Sequence, residues 1–125
     1  MRLAPPDTGS AVDVVNEFNE TWNRGDLNAI LELISEDCVF ENTSPAPDGQ
    51  RCVGKPEIAA AWEPVLATPG MRFEAEELFE AGDRVVVRWT YHWSNGDGAP
   101  GHIRGVDVMR VRDGLVSEKL SYVKG

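Results

Sequence analysis

The apolar residues of this chain keep a helical spacing at first and a strand spacing later. Val15, Phe18 and Trp22 stand at i, i+3 and i+7, one stripe of an amphipathic helix. Ser10 or Asp13 is the candidate cap. Asn23-Arg24-Gly25 ends that helix, Asp26 caps the next, and Leu27, Ile30, Leu31 and Ile34 form its stripe. Cys38-Val39-Phe40 reads as a short strand, and Asn42 to Cys52, with two prolines and a glycine, as a loop over a cavity mouth. Pro56 suits the first turn of a third helix carrying Ile58, Ala59 and Trp62, which Pro64 kinks or ends. From Met71 onward the period is two. Met71, Phe73 and Ala75 alternate with charged residues. Val85, Val87, Trp89, Tyr91 and Trp93 share one face of a strand, Val86, Arg88, Thr90 and His92 the other. His102 to Val111 places Ile103, Gly105, Asp107 and Met109 on one face, and Asp113-Gly114 turns the chain into a last strand, Leu115 to Val123. Helices followed by long antiparallel strands predict an α+β fold. Three helices pack on a curved, mostly antiparallel sheet, a cone-shaped roll enclosing one pocket for a small molecule.

At 125 residues the chain has room for one core. Residues 1–11, rich in Pro, Gly and Ser, read as a flexible leader, and 12–125 as the single domain. A net charge of -9 with scattered basic residues argues against a nucleic-acid partner, since nothing clusters to neutralise phosphates. No stretch approaches the roughly 18–20 apolar residues that span a bilayer, and no signal peptide is visible. Cys38 and Cys52 match no zinc-ligand spacing and suit two reduced thiols. The expectation is a cytoplasmic protein, without metal or cofactor.

Three segments carry a family resemblance: Trp22-Asn23-Arg24-Gly25-Asp26-Leu27, Glu36-Asp37-Cys38-Val39-Phe40-Glu41-Asn42, and Gly105 through Gly114. Together they resemble the superfamily named after nuclear transport factor 2, in its SnoaL-like and ketosteroid-isomerase-like branch, over about residues 12–124. The resemblance implies the cone fold and a choice among polyketide cyclase, isomerase and hydrolase chemistries. Set against the ketosteroid isomerases, Asp107 falls where the family has an acid that hydrogen-bonds the substrate oxyanion. Phe18 replaces the oxyanion-hole tyrosine and Asn42 the general base. Set against the limonene-epoxide hydrolases, Phe40-Glu41-Asn42 is similar to a tyrosine-x-asparagine element. Arg88-Trp89-Thr90 stands for arginine-x-aspartate, and Ser121 for a second aspartate. Neither family's full acid-base set is present.

These alignments imply that Arg88, Thr90 and His92 point into the cavity, with Asp107 on the neighbouring strand and Lys119 and Ser121 on the last. Phe18, Trp22, Phe40, Trp62, Ile103, Met109 and Val123 would form apolar walls. Asp107 reads as a base, as a hydrogen-bond donor to a carbonyl, or as half of an ion pair with Lys119 or Arg88. His92 reads as its proton-exchange partner or as a satisfied pocket histidine. Asn42 would contact the ligand or anchor its own loop, and Lys119 would stabilise developing negative charge. The face bearing Trp89, Tyr91 and Trp93 would then be apolar and uncovered, and the superfamily's habit implies a homodimer through it. Two functions fit. One is a cofactor-independent acid-base enzyme acting on a hydrophobic, oxygenated metabolite. The other is a non-catalytic ligand-binding domain on the same scaffold.

Overall fold

In the computed structural model, residues 10–124 are described. Helix α1 spans Ala11–Asn23. Ser10, one of the two expected caps, is its N-cap, with Oγ accepting from Asp13 N at 3.1 Å, and Ala11, expected in the leader, opens the helix. The rest of the expected leader, residues 1–9, lies outside the described residues. Helix α2, Leu27–Leu31, is capped by Asp26 and is one turn long. Ile34, expected on its stripe, instead opens strand β1, Ile34–Glu41. Strand β2, Arg51–Val53, includes Cys52, which the sequence pattern places in the loop. Helix α3, Lys55–Leu66, has Pro56 at its start and continues past Pro64. Strands β3 (Arg72–Ala81), β4 (Arg84–Ser94), β5 (Pro100–Arg112) and β6 (Leu115–Val123) complete the chain. The last hairpin turns on Asp113 and Gly114, both at positive φ, as the Asp-Gly pair requires.

The six strands form one mixed sheet in the order β2-β1-β6-β5-β4-β3. Only the β1–β6 pairing is parallel. The fold is α+β, with α1 and α3 laid against the concave side of the sheet. The core runs from Val15 and Phe18 through Ile34, Ile58 and Trp62 to Val85, Val87, Met109 and Val116. Asn23 ties the C-terminal end of α1 to the edge strand β3. Its side chain donates to Phe73 O at 2.7 Å and accepts from Phe73 N at 2.8 Å, filling two backbone positions that an edge strand otherwise leaves open.

The register of the β4–β5 hairpin corrects the expected faces. Ser94 pairs with Pro100 across a five-residue loop, so Val87 opposes Asp107, Trp89 opposes Gly105, Tyr91 opposes Ile103 and Trp93 opposes Gly101. Directly opposed residues share a face. Since Asp107 points inward, Trp89, Tyr91 and Trp93 point inward with it, and Arg88, Thr90 and His92 point out. The aromatic face expected to pair two copies is therefore the inside of the cone and cannot be a dimer surface.

Candidate functional site

The floor of the cone is built by β5 and β6. Inward alternation brings Asp107, Lys119 and Ser121 together, because Asp107 pairs with Ser121 and Met109 with Lys119. Ser121 Oγ donates to Asp107 Oδ1 at 2.7 Å, and Lys119 Nζ donates to Ser121 Oγ at 3.1 Å. Lys119 Nζ also sits 3.1 Å from Asp107 Oδ2. That second approach lies off the hydrogen-bonding direction, since Oδ2 meets no aligned donor; it supplies charge rather than a formed bond. The Asp107 side chain is 1% exposed and that of Lys119 10%, so a bound molecule meets the ammonium before the carboxylate. The ammonium lies 5.1 Å from the Phe40 ring centroid and 5.7 Å from that of Trp22. Carboxylate and π-faces both attract its positive charge. A buried charge pair is tolerated where its remaining bonds are made, and Ser121 makes one to each partner.

Above this floor the walls are aromatic. The cavity measures about 420 Å³, in the range of small-molecule sites. Trp62 of α3 packs edge-on against Phe18, Trp22 and Phe40, at 5.7, 5.3 and 5.4 Å between centroids. Phe73 lies 5.8 Å from Trp89, and Tyr91 lies 5.8 Å from Trp93. Two glycines make room for these indoles. A Cβ on Gly105 would come within 2.7 Å of the Trp89 ring, and one on Gly101 within 2.5 Å of Trp93. Tyr91 donates to Val65 O at 3.3 Å, and burial raises its phenol pKa, keeping the hydroxyl neutral. At the rim, Asn42 Oδ1 accepts from Gln50 N at 2.7 Å and Ser44 N at 3.3 Å. Its carbonyl thus anchors the loop while the residue lines the cavity. Gly49 closes the same loop at φ +74, where a Cβ would fall 1.8 Å from Asn42 O.

Of the expected site residues, Phe18, Trp22, Phe40, Asn42, Trp62, Ile103, Asp107, Lys119 and Ser121 line the cavity. Met109 faces inward but is packed in the core beneath it. Val123, expected on the wall, is exposed at the end of its strand. Arg88, Thr90 and His92 are on the outer face. Arg88 pairs with Glu77 at 3.4 Å, Thr90 donates to Glu76, and His92 Nε2 meets Glu74 at 3.0 Å beside His102. The expected Asp107–His92 proton exchange is thereby removed, since the sheet separates them. Asn19, Thr43, Val65, Thr68, Phe73, Trp89, Tyr91 and Trp93 line the cavity without having been anticipated there. The signal for the last three was the hairpin itself. A loop centred on Asp97 pairs odd positions with odd, and the small residues Gly101 and Gly105 mark where Trp93 and Trp89 lie. Among the described residues no cluster of three or more His, Cys, Asp or Glu is arranged to hold a metal, and no helix is long and apolar enough to cross a membrane.

A mixed sheet curved over helices around one apolar cone is the architecture of the nuclear-transport-factor-2-like class. Residues 15–119 match the SnoaL-like domain, and the chain belongs to that family. An NTF2-like protein of unknown function from Mesorhizobium loti is 42% identical, with TM-score 0.80 and full coverage of both chains. A Mycobacterium tuberculosis protein solved with estradiol-17beta-hemisuccinate is 23% identical, with TM-score 0.77 over 90% of this chain and 92% of that one. A putative polyketide cyclase from Xanthomonas campestris pv. campestris is 23% identical, with TM-score 0.73 over 91% and 90%. No curated protein sequence matches.

Proposed function

We propose that this protein is a cofactor-independent acid-base enzyme, of isomerase, cyclase or hydrolase type, acting on a hydrophobic, oxygenated metabolite held in the cone. The observation that carries the reading is a carboxylate and an ammonium fixed 3.1 Å apart at the end of an aromatic cavity. A ligand carbonyl oxygen reaching the floor meets Lys119, whose charge stabilises the oxyanion that develops when a neighbouring C–H or O–H is deprotonated. Asp107 is the base placed to take that proton, with Ser121 orienting its carboxylate. His92 has no part in this scheme. The solved relatives named above, one bound to estradiol-17beta-hemisuccinate and one a putative polyketide cyclase, support a small-molecule pocket. Two free cysteines support the cytoplasmic reading.

The test follows proton exchange at the carbon beside the carbonyl of β-tetralone in deuterated buffer by NMR. Wild type should accelerate it, and Asp107→Asn should remove about a hundredfold of that acceleration or more. The alternative, a non-catalytic binder, is favoured by the near-complete cover over Asp107. It is upheld if the ketone binds, as read by fluorescence of the cavity tryptophans, while its protons exchange no faster than in buffer.

A further inference from the structure

The outer face of the sheet carries a histidine pair that the cone does not use. Val111 N donates to Asp83 O at 3.0 Å and Asn95 N to Ala99 O at 2.7 Å. Odd positions of β4 therefore bond to β5, and even positions are the non-hydrogen-bonded ones. His92 is set against His102 at such a position, where opposed Cα atoms approach to about 4.5 Å and side chains stand closest. Their ring centroids are 6.3 Å apart. With Glu74, Glu76, Thr90 and Arg104 they line a shallow depression of about 330 Å³. His92 Nε2 lies 3.0 Å from Glu74 Oε1. A carboxylate accepts and cannot donate, so Nε2 carries the proton and the neutral ring keeps its lone pair on Nδ1. Metal-ligating histidines are held in this way, one nitrogen on a carboxylate and the other on the ion. His102 is exposed and makes no hydrogen bond among the described residues, so its ring is free to turn.

We propose that His92 and His102 bind one divalent transition-metal ion, zinc or its neighbours, with Glu74 as the residue that positions His92. Metal–nitrogen bonds of about 2.0–2.1 Å put the centroids of two imidazoles on one ion roughly 4.5–6.4 Å apart, depending on the angle between the bonds. The observed 6.3 Å lies inside that range, and turning the exposed ring of His102 closes it toward the tetrahedral value. Imidazole selects zinc, nickel or copper over magnesium and calcium, which take oxygen ligands. Among the described residues no third ligand converges on the pair, so water completes the coordination. Arg72 and Arg104, the guanidiniums beside the pair, are matched by Glu74 at 3.8 Å and Glu76 at 2.8 Å, and the net charge of -9 favours approach of a cation. The ion clips β4 to β5 on the reverse of Tyr91 and Trp93, and so stiffens the hairpin that walls the cone. The site lies across the sheet from the cavity and does not rest on the acid-base reading.

The experiment is a calorimetric titration with zinc chloride in excess magnesium chloride, which occupies sites made of carboxylates alone. Wild type should bind one zinc ion per chain. His92→Asn and His102→Asn should each weaken that binding about tenfold or more. Glu74→Ala should weaken it as well, and Glu74→Gln, whose amide oxygen still accepts from Nε2, should recover part of the loss. Without metal, the histidine variants should melt with wild type, since both rings lie on the surface. With zinc, the melting temperature of wild type should rise while theirs stays in place. The inference is overturned if zinc fails to bind wild type in excess magnesium. It is equally overturned if His92→Asn and His102→Asn bind zinc as tightly as wild type, because the ion is then held elsewhere on the chain.

Discussion

At the scale of single residues, the Lys119–Asp107 pair makes an asymmetric demand on the fold. Asp107 is 1% exposed, whereas Lys119 reaches the cavity. Lys119→Met should therefore be the more damaging change, since it strands a carboxylate in an apolar site at about 3–5 kcal/mol. Asp107→Asn leaves an ammonium that still bonds Ser121 and should lose less. The double variant should recover most of the loss, as urea denaturation would show; a neutral Lys119→Met would mean that no charge pair stabilises the floor. Cys38 makes a demand of a different kind. Burial, then the charge of Asp37, raises its thiol pKa from 9.0 to about 12. A group held protonated in the native state contributes stability below pH 9 and loses it as pH rises toward 12, because the unfolded chain ionises first. Stability of wild type should thus fall through that window more steeply than that of Cys38→Ala. Parallel slopes would show that Cys38 is not the group responsible.

At the scale of elements, the periods of 3.6 and 2 revealed helices and strands because burial on one face enforces them. Short elements escaped. The single turn of α2 was overextended to Ile34, and the three residues of β2 were read as loop, since neither is long enough to show a period. The candidate site was legible on β5, where Asp107 stands out in the row of Ile103, Gly105 and Met109, and on β6 through the family resemblance, which places Lys119 and Ser121. It was misread on β4, where Val86, Arg88, Thr90 and His92 alternate with Val87, Trp89, Tyr91 and Trp93 and either face makes a plausible interior. Only the loop length of the β4–β5 hairpin decides, and a one-residue change in pairing exchanges the faces completely. Gly105 carries that decision in its lack of a side chain. Gly105→Ala would set a methyl against the Trp89 ring at 2.7 Å and Tyr122 O at 2.3 Å. Since the backbone oxygen cannot yield, the expected loss is about 1–3 kcal/mol, together with weaker ligand binding as the indole tilts into the cone. Unchanged melting and binding would mean that the two strands are less closely apposed than described.

At the scale of the whole molecule, exchanging the faces of β4 moves the surface on which assembly can be argued. With Trp89, Tyr91 and Trp93 inside, the outer sheet presents Val86, Val106, Val108 and Leu120, half-buried, between Phe79 at 52% and Tyr122 at 56% exposure. In register, Leu120, Val108, Val86 and Phe79 form one row across β6, β5, β4 and β3. Ion pairs border it, Arg88 with Glu77 and Arg104 with Glu76. We propose that two copies pack back to back through this row. An apolar centre with a charged rim suits a reversible interface. Each copy carries -9, so long-range repulsion opposes pairing, and salt that screens it should tighten the association. Sedimentation equilibrium at micromolar concentration should give two protomers for wild type, more completely at high salt. Val108→Glu should give one, since it buries a like-charge pair near the centre of the row. Leaving the cone untouched, that variant should keep its ligand affinity. A wild-type monomer at both salt concentrations would rule the assembly out, and a dimeric Val108→Glu would move the interface elsewhere.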